Sequence, residues 1–282
     1  MVLDRIKAML EEADGDRPPF PPTLLFNENW LLRLVLDWYA RGAPEGELLT
    51  PADGAGWYSE AWLPSAFLPR ARRDRLAESW THADGVIGHF IAGNHGTADL
   101  ALLPDADQFV VVEGKMFSRL SGGVKNSPGY DQAARTVACM AEVLRRAGRR
   151  PDEIDMLAYV LIAPRSRIEA GAFDDELTAE SIGWKVRRRV DAYRGDRDAW
   201  HDDWFVPTLE KVVLLPIAWE ALAESIAHHD PEAGQTIDSF YTKCLHFGRP
   251  QAVPIWFPAK QGHSPSNRDE RVAGDFPAIP KG

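Results

Sequence analysis

The run MLAYVLIAP, residues 156–164, constrains the fold more than any other stretch of this sequence. Its residues up to the proline are all apolar or aromatic, so both faces of an extended segment would shun water. Such a strand belongs at the centre of a sheet with helices packed on both sides, because a strand with one wet face alternates apolar and polar residues. With 282 residues and 45% hydrophobic content, the chain can build that three-layer α/β/α core. QFVVVEGKM (108–116) is a second apolar run. Between the two lies PGYDQAARTVACMAEVLRRAG, an amphipathic helix with Ser127 as the expected cap, Pro128 at the first helical position and Gly148 as the stop. Strand, helix and strand in that order predict a right-handed parallel crossover.

Upstream, DGVIGHFIAG (84–93) and TADLALL (97–103) read as further strands. The turn sequences GNHG and PDAD separate the three runs, which predicts an antiparallel meander from 84 to 116. NENWLLRLVLDWYAR (27–41) predicts a leading helix capped by Asn27, entered from the proline linker RPPFPP. Residues 60–80 read as one or two short helices broken by Pro64 and Pro69. Beyond 164 the pattern is mostly helical, with one strand-like run, KVVLLP (211–216). The expected organisation is an N-terminal segment 1–26, an α-β-β-β-α-β core 27–164 with a mixed sheet, a mostly helical part 165–257 of the same domain, and an irregular tail 258–282.

Composition excludes some roles. No apolar run approaches the roughly 20 residues that span a bilayer, and the acidic N-terminus has no signal-peptide pattern. Cys139 and Cys244 lack metal-site spacing and read as reduced thiols in helices, so a cytoplasmic protein is expected. The net charge of −10 argues against unspecific polyanion binding. Positive charge is nonetheless clustered, in PRARRDR (69–75), RRAGRR (145–150) and KVRRR (185–189). His228, His229 and Asp230 read as a helix end followed by the cap of the next helix.

Against this apolar background, Asp99, Glu113 and Lys115 stand out. A hairpin turning at DAD would set Leu103 against Phe109 and Asp99 against Glu113, with opposed Cβ atoms about 4.5–5.5 Å apart. Two carboxylates so close repel unless a cation lies between them. Glu113 and Lys115 project from one face of their strand, and Gly114 between them leaves the backbone open. Two carboxylates, an ammonium and a divalent cation suit a phosphodiester, whose transition state gains negative charge. Asp84 is expected outside the site, because the start of a first meander strand lies at the opposite end from the end of the third.

These residues and their order of elements resemble the PD-(D/E)xK nuclease superfamily, the restriction-endonuclease-like fold, over residues 27 to 164. The resemblance matches the family's Asp to Asp99 and its Glu-x-Lys to Glu113 and Lys115. It also matches the acid of the first core helix to Glu28, and a Gln on the helix after the lysine strand to Gln132. It implies Mg²⁺- or Mn²⁺-dependent phosphodiester cleavage, with Asp99 and Glu113 as metal ligands, Lys115 assisting the attacking water, and DNA as the expected nucleic-acid partner. The alternatives are a binder of nucleic acid or of a partner that does not cut, on the same fold, and an unrelated α/β protein in which the trio is a salt bridge. Oligomeric state stays open, a homodimer included.

Overall fold

The computed structural model describes residues 2–15, 17–43, 47–93, 99–124 and 127–248; the expected turn at 94–96 and the tail 258–282 lie outside them. The helices are α1 (Val2–Glu11), α2 (Glu28–Gly42), α3 (Gln132–Ala147), α4 (Arg165–Glu169), α5 (Ala179–Asp191), α6 (Asp198–Trp200), α7 (Val206–Lys211), α8 (Trp219–His229) and α9 (Pro231–Phe247). The strands are β1 (Gly56–Leu63), β2 (Thr81–Gly88), β3 (Phe90–Ala92), β4 (Leu100–Leu102), β5 (Gln108–Gly114), β6 (Gly123–Val124), β7 (Ser127–Pro128), β8 (Met156–Ala163) and β9 (Val213–Ala218).

The central sheet is mixed and runs β1-β2-β5-β8-β9. β1, β2 and β5 are antiparallel to one another, and β5, β8 and β9 are parallel. β8 is the doubly covered strand expected from its sequence, buried at every position after Met156. On one face Phe109, Val111, Tyr159 and Leu161 pack with α3 and α5; on the other Val110, Val112, Val160 and Ile162 pack with α2, α8 and α9. Helices thus cover both faces, as a two-sided apolar sheet requires. Among the described residues no helix is long and apolar enough to cross a membrane. Cys139 and Cys244 are buried free thiols within α3 and α9.

The predicted meander is shifted by one strand. Residues 56–63, expected as loop and helix, form the edge strand β1, and only Ala61 and Leu63 of it are buried. A half-wet edge strand carrying Ser59 and Glu60 gives a weak hydrophobic signal. The run 84–93 is therefore the second strand of the sheet, not the first. It breaks after Gly88, and its remainder, β3, pairs with β4 in a separate two-stranded ribbon. Helix α3 also begins later than expected. Asp131, not Ser127, caps it by accepting the Ala134 N–H at 3.0 Å, while Ser127 and Pro128 pair with residues 123–124.

Gly88 marks the point where the chain leaves the sheet. Its φ is +149°, and a Cβ there would stand 2.1 Å from the Gln108 carbonyl oxygen. Gly88→Ala should therefore cost about 2–4 kcal/mol of stability, read from urea unfolding; a loss below about 0.5 kcal/mol would contradict this account of the crossing.

Candidate active site

β5 is buried along its whole length between β2 and β8. Its alternation sends Phe109, Val111 and then Glu113 toward α3. The Glu113 side chain is 1% exposed, and its Oε1 accepts from both Lys115 Nζ and Gln132 Nε2. Lys115 directly follows the strand. Its backbone N–H donates to the Ile162 carbonyl at 2.8 Å, and its own carbonyl accepts from the Trp219 indole at 3.0 Å. Two anchors therefore fix where the lysine leaves the sheet. Gly114 faces the other way, where a Cβ would stand 3.3 Å from the Trp219 ring and 3.6 Å from Glu28 Cβ.

The acid opposite Glu113 is Asp84, which corrects the assignment of Asp99. β2 pairs with β5 from Gly88↔Phe109 to Gly85↔Val112, and one further step in that register sets Asp84 against Glu113. The Asp84 carboxylate accepts the Gly114 N–H at 2.9 Å. A local irregularity turns it there. The β1–β2 register omits Glu60 and Asp84, and Glu60 takes φ +58°. Ala83 and Val86 consequently face the same core, which strict alternation forbids. The Glu60 carboxylate accepts from the Asn29 amide of α2 at 2.8 Å.

Asp99 bridges to Trp62 of β1, so β1 and β2 stand between it and β5. The hairpin that would have brought it to Glu113 does not form, because β5 takes β2 as its neighbour and β4 takes β3. Asp99 and Glu113 therefore do not share a cation, and the metal-ligand role expected for Asp99 is withdrawn.

Gln132 stands where the sequence suggested, at the first turn of α3. Its amide spans two elements: Nε2 donates to Glu113, and Oε1 accepts the Ser121 N–H at 3.2 Å. The Asp131 cap beside it is paired with Lys185 of α5. Glu28 opens α2 behind its Asn27 cap and approaches β5 from the opposite face, beside Gly114. Two buried hydroxyls the sequence did not single out, those of Tyr159 and Thr136, lie against each other in the layer beneath, and the charges of Glu113 and Asp84 reach Tyr159.

Burial pushes the Glu113 carboxyl up to about 8, and the neighbouring Asp84 charge pushes it the same way, against the pull of Lys115. Glu113 Oε2 is buried with no N–H or O–H donor on it, and the Asp84 carboxyl group lies within hydrogen-bonding reach of Glu113. An orphaned carboxylate oxygen next to a second acid fits a divalent cation, which would relieve both the desolvation and the repulsion. Among the described residues no group of three or more His, Cys, Asp and Glu forms a metal cluster. The donor set is thus two carboxylates, a number that suits Mg²⁺, which keeps several waters.

No family model, curated protein or solved structure matches this chain.

The raised Glu113 carboxyl has a consequence for stability. Between about 4.5 and about 8 the folded protein holds a proton on Glu113 that the unfolded chain has released. Its contribution is therefore complete below that window and is lost as pH rises through it. With chelator present, Glu113→Gln should flatten the fall in stability across this range, by up to about 1.4 kcal/mol per pH unit. Parallel pH profiles for the two proteins would contradict the assignment.

Proposed function

We propose that this chain is a divalent-metal-dependent nuclease that hydrolyses phosphodiester bonds, with DNA as the expected substrate, and that Asp84 is the acid acting with Glu113. One observation carries the reading: Asp84 and Glu113 occupy opposed positions on neighbouring strands, with Lys115 on the Glu113 carboxylate. The order of elements supports it as well. Helix α2, antiparallel β1, β2 and β5, helix α3 and parallel β8 follow the α-β-β-β-α-β order of the PD-(D/E)xK core.

Asp84 and Glu113 would hold Mg²⁺ or Mn²⁺. When bound, the ion polarises a phosphoryl oxygen and lowers the pKa of a coordinated water. The chain's own residues supply the rest. Lys115, fixed at its backbone by Ile162 and Trp219, presents an ammonium that donates to the attacking water or to the charge developing on the phosphoryl oxygens. Gln132 ties the Glu113 carboxylate to the loop at Ser121 and so holds its orientation. Glu28 stands on the α2 side of β5, its Cβ beside the Trp219 ring against Gly114. A second reading, a binder that does not cut, draws on the net charge of −10, which disfavours broad contact with a polyanion.

Purified protein incubated with linear, circular and single-stranded DNA and with RNA, in Mg²⁺, Mn²⁺ or EDTA, separates the readings. Metal-dependent cutting should fall roughly 100-fold or more in Lys115→Ala and in Asp84→Asn, and persist in Asp99→Asn. Activity lost in Asp99→Asn but kept in Asp84→Asn would overturn the assignment. Binding that survives EDTA with no cutting in any metal would favour the non-cleaving protein.

A further inference from the structure

Two of the three arginine clusters in the sequence converge in space. Arg70, from the 69–75 segment, and Arg145 and Arg146, from the end of α3, line one open pocket of about 460 Å³ together with Arg197 and Trp204. Arg145 and Arg146 both pair with the buried Glu142, yet their side chains stay 43% and 40% exposed, so their outer N–H groups remain available. Four guanidiniums and two carboxylates, Glu142 and Asp203, line the pocket; Arg70 is itself paired with Asp74 and Asp196 at the rim, so the donors left for a ligand are those of Arg145, Arg146 and Arg197. The third cluster does not join: Arg189 is buried under Tyr193 and Phe67, and Arg187 is spent on Asp191 and Asp198.

The guanidinium is the side chain best shaped for phosphate, offering paired donors and a charge that never titrates away. The surroundings extend the field. Arg150 lies over the Trp204 ring at 5.1 Å, and Arg146 over Trp80 at 5.5 Å, so aromatic faces alternate with cations along this wall. Glu142 to Arg146 lie ten to fourteen residues along α3 from Gln132, which places the pocket about 15–20 Å from the carboxylate pair along the helix. That span corresponds to about four to six phosphates of a helical strand.

We propose that this pocket binds a backbone phosphate of the nucleic-acid strand whose scissile bond lies at Glu113, a second anchor that sets how much strand must extend past the cut. The inference rests on the nuclease reading, and the experiment below separates the two. Binding of a fluorescent single-stranded DNA is measured by anisotropy in EDTA over a series of salt concentrations, for wild type and Arg146→Gln/Arg197→Gln, with Arg70→Gln as a milder variant and thermal unfolding as the folding control. The double variant should bind roughly tenfold more weakly at physiological salt, and its log–log salt slope should be shallower by about 0.7 to 1. Inorganic phosphate is titrated calorimetrically in parallel.

If wild type binds and cuts DNA while folded variants keep its affinity and salt slope, the pocket is not a strand anchor and the nuclease reading stands. Should inorganic phosphate bind wild type and not the double variant, with DNA affinity unchanged, the pocket takes a free anion and the strand proposal falls. A wild-type protein that neither binds nor cuts any nucleic acid removes the nuclease reading and this proposal with it.

Discussion

Two carboxylates face each other across neighbouring strands in the middle of an apolar sheet, and much of the local architecture serves to keep them there. Asp84 and Glu113 would repel, and burial opposes the ionisation of Glu113. The fold compensates with fixed partners. Lys115 and Gln132 reach the buried oxygen of Glu113 from one side, and the Gly114 N–H holds Asp84. Even the irregularity at Glu60 belongs to this arrangement, since it releases Asp84 from β1 and turns it toward β5. A glutamate with positive φ costs of order 1–3 kcal/mol, and such strain gathers at functional sites.

The helices after residue 164 close this arrangement instead of forming a separate body. Trp219 opens α8, covers the α2-side face of the sheet and donates its indole N–H to the Lys115 carbonyl. On the other face α5 packs against α3, and its Lys185 pairs with the Asp131 cap next to Gln132. The His228-His229-Asp230 run does what its sequence suggested. Asp230 caps α9 by accepting the Ala233 N–H at 3.0 Å, and Pro231 takes the first helical position.

The sequence made β5, α3, β8 and the later helices legible because their signals are strong: fully apolar runs for the buried strands, and a 3.6-residue stripe ended by a glycine for α3. Glu113, Lys115 and Gln132 were legible for the same reason, each standing out against an unambiguous element. What failed was the edge. GWYSEAWL has one half-wet face and a polar centre, which hides an edge strand, and nothing in the sequence marks 100–102 as leaving the sheet to pair with 90–92. The hairpin expected at DAD therefore does not form, and the acid opposite Glu113 is Asp84. Trp57, Tyr58 and Trp62 with Ala61 and Leu63 were the available clue, being residues that fit a pleated, half-buried strand. Convergence of the 69–75 and 145–150 arginines was out of reach altogether, because it depends on how α3 lies against the loop after β1.

The central claim is that Asp84 and Glu113 share one divalent cation. A crystal grown with Mn²⁺ and measured at the manganese absorption edge tests it most directly. The account predicts a single anomalous peak bonded to one carboxylate oxygen of each residue, within reach of a water that Lys115 also contacts. A peak at Asp99, or none beside Glu113 at saturating Mn²⁺, would contradict it.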